Sequence, residues 1–286
     1  MTMTMAMMEA FAGERVPKFM ATVDADGQPN VVPIISMTPL DERTIAFAEY
    51  LMVKTKRNLD ANGKVAGIAI TEDLRYFSFQ GTFLGWENKG RLVDQFNKTS
   101  FFRYNSYTGV RKAGKIKVDK LLRVGGISKI RMVAEFLQIK AMNLVMKSPH
   151  DNRKMPLNVA EKFNRIAAIK VLAHVTDQSL LDVHPALSMQ SADLGTLKLG
   201  MKASDGALRD IPSGSMVAAS VITMDPIAYQ VKGKLYKASS VLSSMVRGIM
   251  IEQVYSASPP LVGERIDSDV RSVPYRESGW NELTTA

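Results

Sequence analysis

Short runs of apolar residues, separated by turn-forming residues, predict β-strands through the first third of the chain. The runs at residues 19–23 and 31–35 flank a turn that carries Asp26-Gly27, a dipeptide typical of tight hairpins. Further runs predict strands over residues 44–47, 65–71, 76–83 and 114–121. Two short helices are predicted, over residues 55–61 with Asn62-Gly63 as the end signal, and over residues 90–97. The unit is therefore mainly β, and closing about six strands into a barrel would remove its exposed edges.

Helical spacing of apolar residues recurs at two later places. Residues 128–146 form a basic segment with this spacing, and residues 159–169 form a second helix that Asn158 and Glu161 would open as a capping box. We expect both helices to pack on barrel surfaces. For residues 128–146 the alternative is a basic amphipathic face for a membrane or a partner. Residues 1–13 carry no secretory signal and are expected to form a loose tail.

The chain contains one sequence pattern twice. Residues 8–81, moved forward by 152 positions, align without a gap with residues 160–233 and are identical at 18 of 74 positions. Unrelated stretches would agree at roughly 6% of positions, so the repeat indicates two copies of one domain. The copies differ where the first reads Lys54-Thr55-Lys56-Arg57 and the second reads Gly206-Ala207-Leu208-Arg209. A basic, hydroxyl-bearing corner is therefore retained in the first copy only.

Composition narrows the chemistry. The 286 residues contain no cysteine, which excludes disulfides, thiolate nucleophiles, iron–sulfur clusters and the usual structural zinc sites. Together with the missing signal, this indicates a cytoplasmic protein. The net charge of +9 is regional, because residues 111–170 hold 15 Lys and Arg against 4 Asp and Glu, a balance of +11. Such a field attracts anions of many kinds, so an anionic membrane or an acidic partner at residues 111–170 is a weak expectation, and nucleic acid is not expected.

The corner at Lys54-Thr55 has the chemistry of a phosphate site. A lysine followed by a hydroxyl residue in the first turn of a helix offers a cation, an O–H donor and unpaired backbone N–H groups to one anion. Arg57 could add a second contact or face solvent. The chain shows no glycine-rich P-loop, no GxSxG elbow and no HExxH pattern. No metal site is expected, and no catalytic acid or base can be named.

The order of these features resembles the FMN-binding split-barrel family of pyridoxamine 5′-phosphate oxidases and flavin reductases, and among them the small FMN-binding proteins. The features that carry the resemblance are the first hairpin with Pro33, the third strand, Lys54-Thr55-x-x-Asn58-Leu59 opening a helix, and Gln80-Gly81 in a strand. The resemblance implies two tandem split β-barrels joined by a helical segment, the second copy being degenerate. The expected domains are barrel 1 at residues 14–125, a basic helical linker at 126–157, barrel 2 at 158–275 and a tail at 276–286.

The resemblance also implies where the flavin lies. Lys54 and Thr55 would hold its phosphate, with Arg57 as a further candidate. The flavin ring would lie against positions that act mainly through backbone and shape. These are Val32, Pro33, Ile34, Ala48, Glu49 and Tyr50. Gln80 and Gly81 are further candidates, although a glycine present in both copies, as Gly233 in the second, also suits a bend of the barrel.

The implied activity is hydride or electron transfer between FMN and a small organic or nicotinamide substrate such as NAD(P)H, with the deazaflavin F420 as the alternative cofactor. Other readings are a non-enzymatic flavin or anion carrier, and a basic surface module for nucleic acid or membrane. Family members bind flavin between two barrels of a homodimer, so here either the two copies pair within the chain or two chains pair.

Two activities of the family are not expected. Pyridoxamine 5′-phosphate oxidases have arginines for the substrate phosphate and a histidine near the end of the chain, whereas here no histidine accompanies Arg271 and Arg276, so vitamin B6 oxidation is not expected. Heme is not expected either, because His184 stands as a lone imidazole and is taken as structural.

Overall fold

A computed structural model describes residues 2–50, 52–99, 109–145, 154–201, 207–237, 246–259 and 261–267. Over these residues the protein is mainly β and consists of two seven-stranded antiparallel sheets with a few helices. The tail expected at residues 276–286, with Arg271 and Arg276, lies outside the described residues. None of the described helices is both long and apolar enough to cross a membrane.

The first sheet has the strand order β2-β1-β5-β6-β7-β4-β3. Its strands are β1 (Lys18–Val23), β2 (Pro29–Pro33), β3 (Thr38–Pro39), β4 (Thr44–Ala48), β5 (Lys64–Ile70), β6 (Arg75–Glu87) and β7 (Ala113–Gly126). All the predicted strands of the first copy are confirmed, and β6 and β7 run further than predicted. Three helices accompany this sheet: α1 (Met5–Ala12), α2 (Lys54–Asn62) and α3 (Arg91–Lys98). Gly63 ends α2 in the left-handed conformation, with φ of 66°, as predicted.

The second sheet repeats this order. Its strands are β8 (Ile169–Val175), β9 (Leu181–Pro185), β10 (Gln190–Asp193), β11 (Thr196–Gly200), β12 (Met216–Ile222), β13 (Ala228–Lys237) and β14 (Val246–Ser256), in the order β9-β8-β12-β13-β14-β11-β10. The bounds of β9, β11 and β12 follow those of β2, β4 and β5 at the same distance of 152 residues as the sequence repeat. The two split barrels predicted from the sequence are therefore confirmed. Helices α4 (Lys129–Val145) and α5 (Leu157–Phe163) lie between the barrels in the chain.

The amino-terminal segment corrects the expected loose tail. The Thr4 hydroxyl caps α1 by accepting a hydrogen bond from Met7 N at 3.3 Å. Met7 and Phe11 are fully buried, and the Phe11 ring meets the Phe79 ring edge-on with 5.5 Å between centroids. Met7 and Phe11 lie four residues apart, on one face of the helix, so their burial against the first barrel stabilises it. The sequence pattern of residues 1–13 did not predict this helix.

The start of α5 is a second correction. The residue that caps this helix is Pro156, with no side-chain cap, and the helix ends at Phe163. Asn158 donates instead to the Tyr229 hydroxyl at 2.9 Å, and Glu161 pairs with Arg165 at 2.7 Å. The expected capping box of Asn158 and Glu161 is therefore wrong, because the helix already begins at Leu157 and both side chains contact other partners.

Helix α4 packs on the second barrel with one face only. Phe136, Ile139 and Met142 are buried, and the Phe136 carbonyl accepts from Gln190 Nε2 at 2.6 Å. The opposite face exposes a stripe of large aliphatic side chains. These are Ile130, Val133, Leu137 and Leu144. Packing on a barrel is thus as expected, while a membrane or acidic partner for the exposed face stays a prediction.

Each barrel has its own hydrophobic core, and a further hydrophobic cluster joins the two barrels at their junction. Phe19, Ile68 and Tyr76 of the first barrel pack with Val171, Val183 and Ala218 of the second. Polar contacts cross the same junction: Gln230 Nε2 donates to Val31 O at 2.7 Å, and Gln80 Nε2 donates to Leu181 O at 2.6 Å. The barrels therefore contact each other within the chain, whereas pairing of two chains stays a prediction.

Candidate functional site

A cavity of about 350 Å³ lies at the junction of the two barrels. The first barrel contributes the end of β2, the following loop, the end of β4 and the first turn of α2. The second barrel contributes the end of β12, the start of β13 and the segment after β14. Its lining residues are Asn30, Val32–Ser36, Ala48, Tyr50, Met52–Thr55, Ile222, Pro226, Ala228, Gln230, Tyr255–Pro259, Val262 and Gly263. The volume falls at the lower end of the range for small-molecule sites, about 300–1,000 Å³.

Seven of the eleven predicted site residues line this cavity. They are Val32, Pro33, Ile34, Ala48, Tyr50, Lys54 and Thr55. Chain folding brings them together because the antiparallel strands β2 and β4 end near the start of α2. The structure therefore gathers most of the candidates, although what they bind stays a prediction.

Four candidates lie outside the cavity. Arg57 is exposed on α2, and the Glu49 backbone N–H donates to Lys112 O at 2.8 Å. Gln80 makes the contact to Leu181 between the barrels, described above. At Gly81 a Cβ would lie 2.5 Å from Lys117 O of the adjacent strand, so the glycine permits close approach inside its own barrel. A Cβ at the matching Gly233 would lie even closer to Met250 O. These two glycines therefore serve the bend of each barrel.

Lys54 is the first residue of α2, and its ammonium lies in the cavity wall. Its Nζ is shielded from solvent and has no hydrogen-bond partner among the described residues. It lies 3.1 Å from the centroid of the Tyr255 ring, which the second barrel contributes. The pKa of Lys54 is lowered to about 7, chiefly by burial and next by the nearby Lys232 ammonium. A buried cation without a hydrogen-bonding anion is costly, so this group is ready to accept an anionic ligand.

The start of α2 adds donors to this cation. Val53, which precedes the helix, has no polar side chain and cannot cap it, so the N–H groups of the first turn lack a side-chain cap. Thr55 is buried, and its hydroxyl accepts from Asn30 Nδ2 at 3.2 Å, which leaves the hydroxyl proton free to donate. Asn30 Oδ1 is buried without a hydrogen-bond partner in the described part of the chain. The corner thus offers both donors and an acceptor to a ligand.

Charges around the corner come from both barrels. Lys232 of β13 is 2% exposed and pairs with Asp24 at 3.0 Å across the junction. Asp24 also caps its own hairpin, because its Oδ1 accepts from Gln28 N at 2.8 Å. Arg265 pairs with the buried Asp267 at 2.6 Å. Lys54 and Arg57 carry no such carboxylate contact among the described residues, so the local field remains positive.

Residues of the second barrel were missed by sequence reasoning. Tyr255, Gln230 and Lys232 belong to no motif, and their proximity to Lys54 depends on how the barrels pack. Asn30 also belongs to no motif, because it directly precedes the apolar run at residues 31–35. The second copy, expected to be degenerate, contributes an aromatic ring and a nearby cation, Tyr255 and Lys232.

Within the described residues, the place in the second barrel that is equivalent to the cavity has larger side chains beside it. In the repeat, Ala228 and Pro226, which line the cavity, correspond to Tyr76 and Leu74 of the first barrel. Tyr76 is fully buried, and both side chains belong to the hydrophobic cluster between the barrels. Residues 202–206, which correspond to the start of α2, lie outside the described residues. The next described residues form only a three-residue 3-10 helix, Ala207–Arg209, and the buried guanidinium of Arg247 donates to the carbonyls of Leu208 and Ile211. The described part of this corner therefore has neither a full α-helical turn nor a lysine, in agreement with the sequence difference between the copies.

A comparison with family models matches the sequence of the first barrel. Residues 5–98 match the family model described as pyridoxamine 5′-phosphate oxidase, a span that runs from α1 to α3. The resemblance to the FMN-binding split-barrel family is therefore confirmed for the first barrel. No curated protein matches the chain.

Several solved structures are similar over less than half of this chain. HupZ of Group A Streptococcus is 26% identical, with 44% of this chain and 95% of that chain covered and a TM-score of 0.35. A putative pyridoxamine 5′-phosphate oxidase from Lactobacillus delbrueckii is 22% identical, with 43% and 94% covered and a TM-score of 0.36. An FMN-binding protein from Syntrophomonas wolfei is 16% identical, with 43% and 88% covered and a TM-score of 0.36.

Proposed function

We propose that the cavity between the barrels binds FMN and that the protein is a flavin-dependent oxidoreductase. The observation that carries this proposal is the shielded Lys54 ammonium, which has no hydrogen-bond partner among the described residues and stands at the uncapped start of α2. A flavin phosphate would supply the missing anion. Lys54 would pair with it, Thr55 would donate its hydroxyl proton, and the first-turn N–H groups would complete the contact.

The rest of the cavity suits the uncharged part of a flavin. Val32, Pro33 and Ile34 form one apolar wall, and Ile222 and Ala228 form the opposite one. An isoalloxazine ring held between them would be shielded from water. The unpaired Asn30 Oδ1 would accept from a hydroxyl of the ribityl chain. The residues therefore fit the cofactor in charge, shape and hydrogen-bonding groups.

Bound flavin would supply hydride and electron transfer. The chain's own contribution is position and electrostatics. Among the described lining residues the ionisable side chains are Tyr50, Lys54 and Tyr255, and the cavity wall holds no carboxylate or imidazole from that part of the chain. No side chain is therefore assigned as a catalytic acid or base. Positive charge near the site would favour a reduced, anionic flavin, and the apolar walls would exclude water from the reacting face.

The deazaflavin F420 also carries phosphate and is the alternative cofactor for the same corner. The first experiment is the visible absorption spectrum of the purified full chain, with mass spectrometry of the released chromophore. About one FMN per chain is expected, because the second copy has Gly206-Ala207 in place of Lys54-Thr55. A chain that contains no flavin and takes up none when it is added would refute the proposal.

The lack of an assigned acid or base keeps a non-enzymatic flavin carrier as the second candidate. Stopped-flow mixing of the flavin-loaded protein with NADH or NADPH under anaerobic conditions separates the two. An oxidoreductase that uses nicotinamide should be reduced at a rate that saturates with the nucleotide concentration. Slow reduction proportional to concentration with both nucleotides would favour the carrier.

A further inference from the structure

The second barrel contains a buried cluster of two histidines and one aspartate. His174 on β8 and His184 and Asp182 on β9 each place one nitrogen or carboxylate oxygen within 4.8 Å of the others. The two imidazole rings stack with 5.2 Å between centroids, and His184 Nε2 lies 3.5 Å from Asp182 Oδ2. His184 is therefore not the lone imidazole that the sequence suggested. Cross-strand pairing of β8 with β9 creates a group that sequence spacing did not reveal.

The cluster leaves two ring nitrogens unused. His174 Nδ1 and His184 Nε2 are buried and have no hydrogen-bond partner within the described ranges, although the two residues are only 7% and 2% exposed. Burial lowers the pKa of both imidazoles, that of His184 to about 3. A neutral imidazole binds a metal ion through a ring nitrogen that carries no proton.

The repeat shows how this cluster differs from the first copy. His174, Asp182 and His184 occupy the positions of Thr22, Asn30 and Val32 in the first barrel. Thr22 and Asn30 support the donor corner that favours an anion. The second copy has two imidazoles and a carboxylate at the same positions, which are ligands that favour a cation.

We propose that His174, Asp182 and His184 form a binding site for one divalent first-row transition-metal ion, with zinc as the expected occupant. Two imidazoles and one carboxylate are a ligand set that suits such ions, and further positions would be filled by water. An ion bound through His174 Nδ1 and His184 Nε2 would supply the partner that both nitrogens lack. The site is independent of the flavin cavity, because none of its three residues lines that cavity.

Arg123 of the first barrel is the outer partner of this site. Its guanidinium donates to both oxygens of Asp182, from Nη1 at 2.5 Å and from Nη2 at 2.8 Å, and it fixes the carboxylate from the other barrel. Val183 N also donates to Asp182 Oδ1 at 2.8 Å. Carboxylates that bind metals are commonly oriented by such hydrogen bonds. The guanidinium charge opposes a cation, so moderate affinity is expected, and a bound ion would couple the two barrels.

The test is equilibrium dialysis of the full chain without an affinity tag against zinc, followed by elemental analysis. About one zinc per chain is expected for the wild type, and X-ray absorption at the zinc edge should show imidazole ligands. The variants His174→Gln and His184→Gln should lose this zinc. Asp177→Asn removes an exposed carboxylate just beyond β8 and should retain it.

Circular dichroism of each variant shows whether it is folded, so loss of zinc by loss of structure is recognised. The wild-type measurement needs no variant. A folded wild-type chain that retains no zinc after dialysis overturns the proposal, and the imidazoles are then packing groups only. Flavin content measured on the same samples keeps this result separate from the cofactor assignment.

Discussion

The role of Lys54 gives the sharpest prediction, and the variant Lys54→Met tests it. Methionine keeps the length and the packing against Tyr255 but removes the charge. If the ammonium holds the flavin phosphate, the loss of one charge-assisted hydrogen bond costs about 1.5–3 kcal/mol. This energy corresponds to a Kd for FMN that rises by about 10- to 150-fold. The assay is quenching of flavin fluorescence during titration with the flavin-free protein.

Riboflavin, which lacks the phosphate, is the matched ligand control. Its affinity should be nearly equal for the wild type and for Lys54→Met, because the variant leaves the apolar walls unchanged. Arg57→Gln is the matched protein control, since it removes the same charge from the same helix at an exposed position outside the cavity. If Lys54→Met weakens riboflavin as much as FMN, or if Arg57→Gln weakens FMN equally, the phosphate role of Lys54 is refuted.

The same reasoning fixes a pH dependence. With a pKa of about 7 in the free protein, Lys54 loses its charge as the pH rises above neutrality, whereas the flavin phosphate is already dianionic. Binding must then take up a proton, so the affinity for FMN should fall by up to about tenfold per pH unit above pH 7. The dependence should be absent in Lys54→Met and for riboflavin. Equal pH profiles for FMN and riboflavin would contradict this account.

Three further predictions concern stability, each measured by urea unfolding. Gly81→Ala should cost about 1–3 kcal/mol, because its Cβ would meet a backbone carbonyl at 2.5 Å, whereas Gly126→Ala meets nothing within 4 Å and should be nearly neutral. Asp24→Asn should lower the free energy of unfolding by about 3–5 kcal/mol, because it leaves Lys232 buried without its partner. If the double variant with Lys232→Met is no more stable than Asp24→Asn, this cause is wrong. Burial lowers the pKa of Lys170 from 10.5 to about 7, so between these pH values the unfolded chain binds more protons than the folded chain. The free energy of unfolding should therefore rise with pH in this window, by up to about 1.4 kcal/mol per pH unit. Lys170→Met should show a smaller slope, and an unchanged slope would contradict the shift.

The sequence alone determined the local elements of this protein and the likeness of its two halves. Short apolar runs between turn-forming residues predicted the strands, because strands such as β1 and β5 are buried on both faces. Asn62-Gly63 predicted the end of α2, because this helix ends in a left-handed residue. The repeat predicted two barrels, and the difference at Lys54-Thr55 predicted which barrel carries the anion corner. Segments that tertiary burial stabilises are harder to predict from the sequence. Residues 1–13 predict a loose tail, because the stability of α1 comes from packing Met7 and Phe11 into the barrel.

Which side chains meet depends on the tertiary structure. Tyr255 lies over Lys54, although about 200 residues separate them, because the second barrel packs against the first through the hydrophobic cluster at their junction. The same packing joins Arg123 to Asp182 across the junction. Strand pairing alone brings His174 beside His184. Sequence patterns report the periodicity of one element at a time, whereas a site between elements depends on long-range contacts that leave no local pattern.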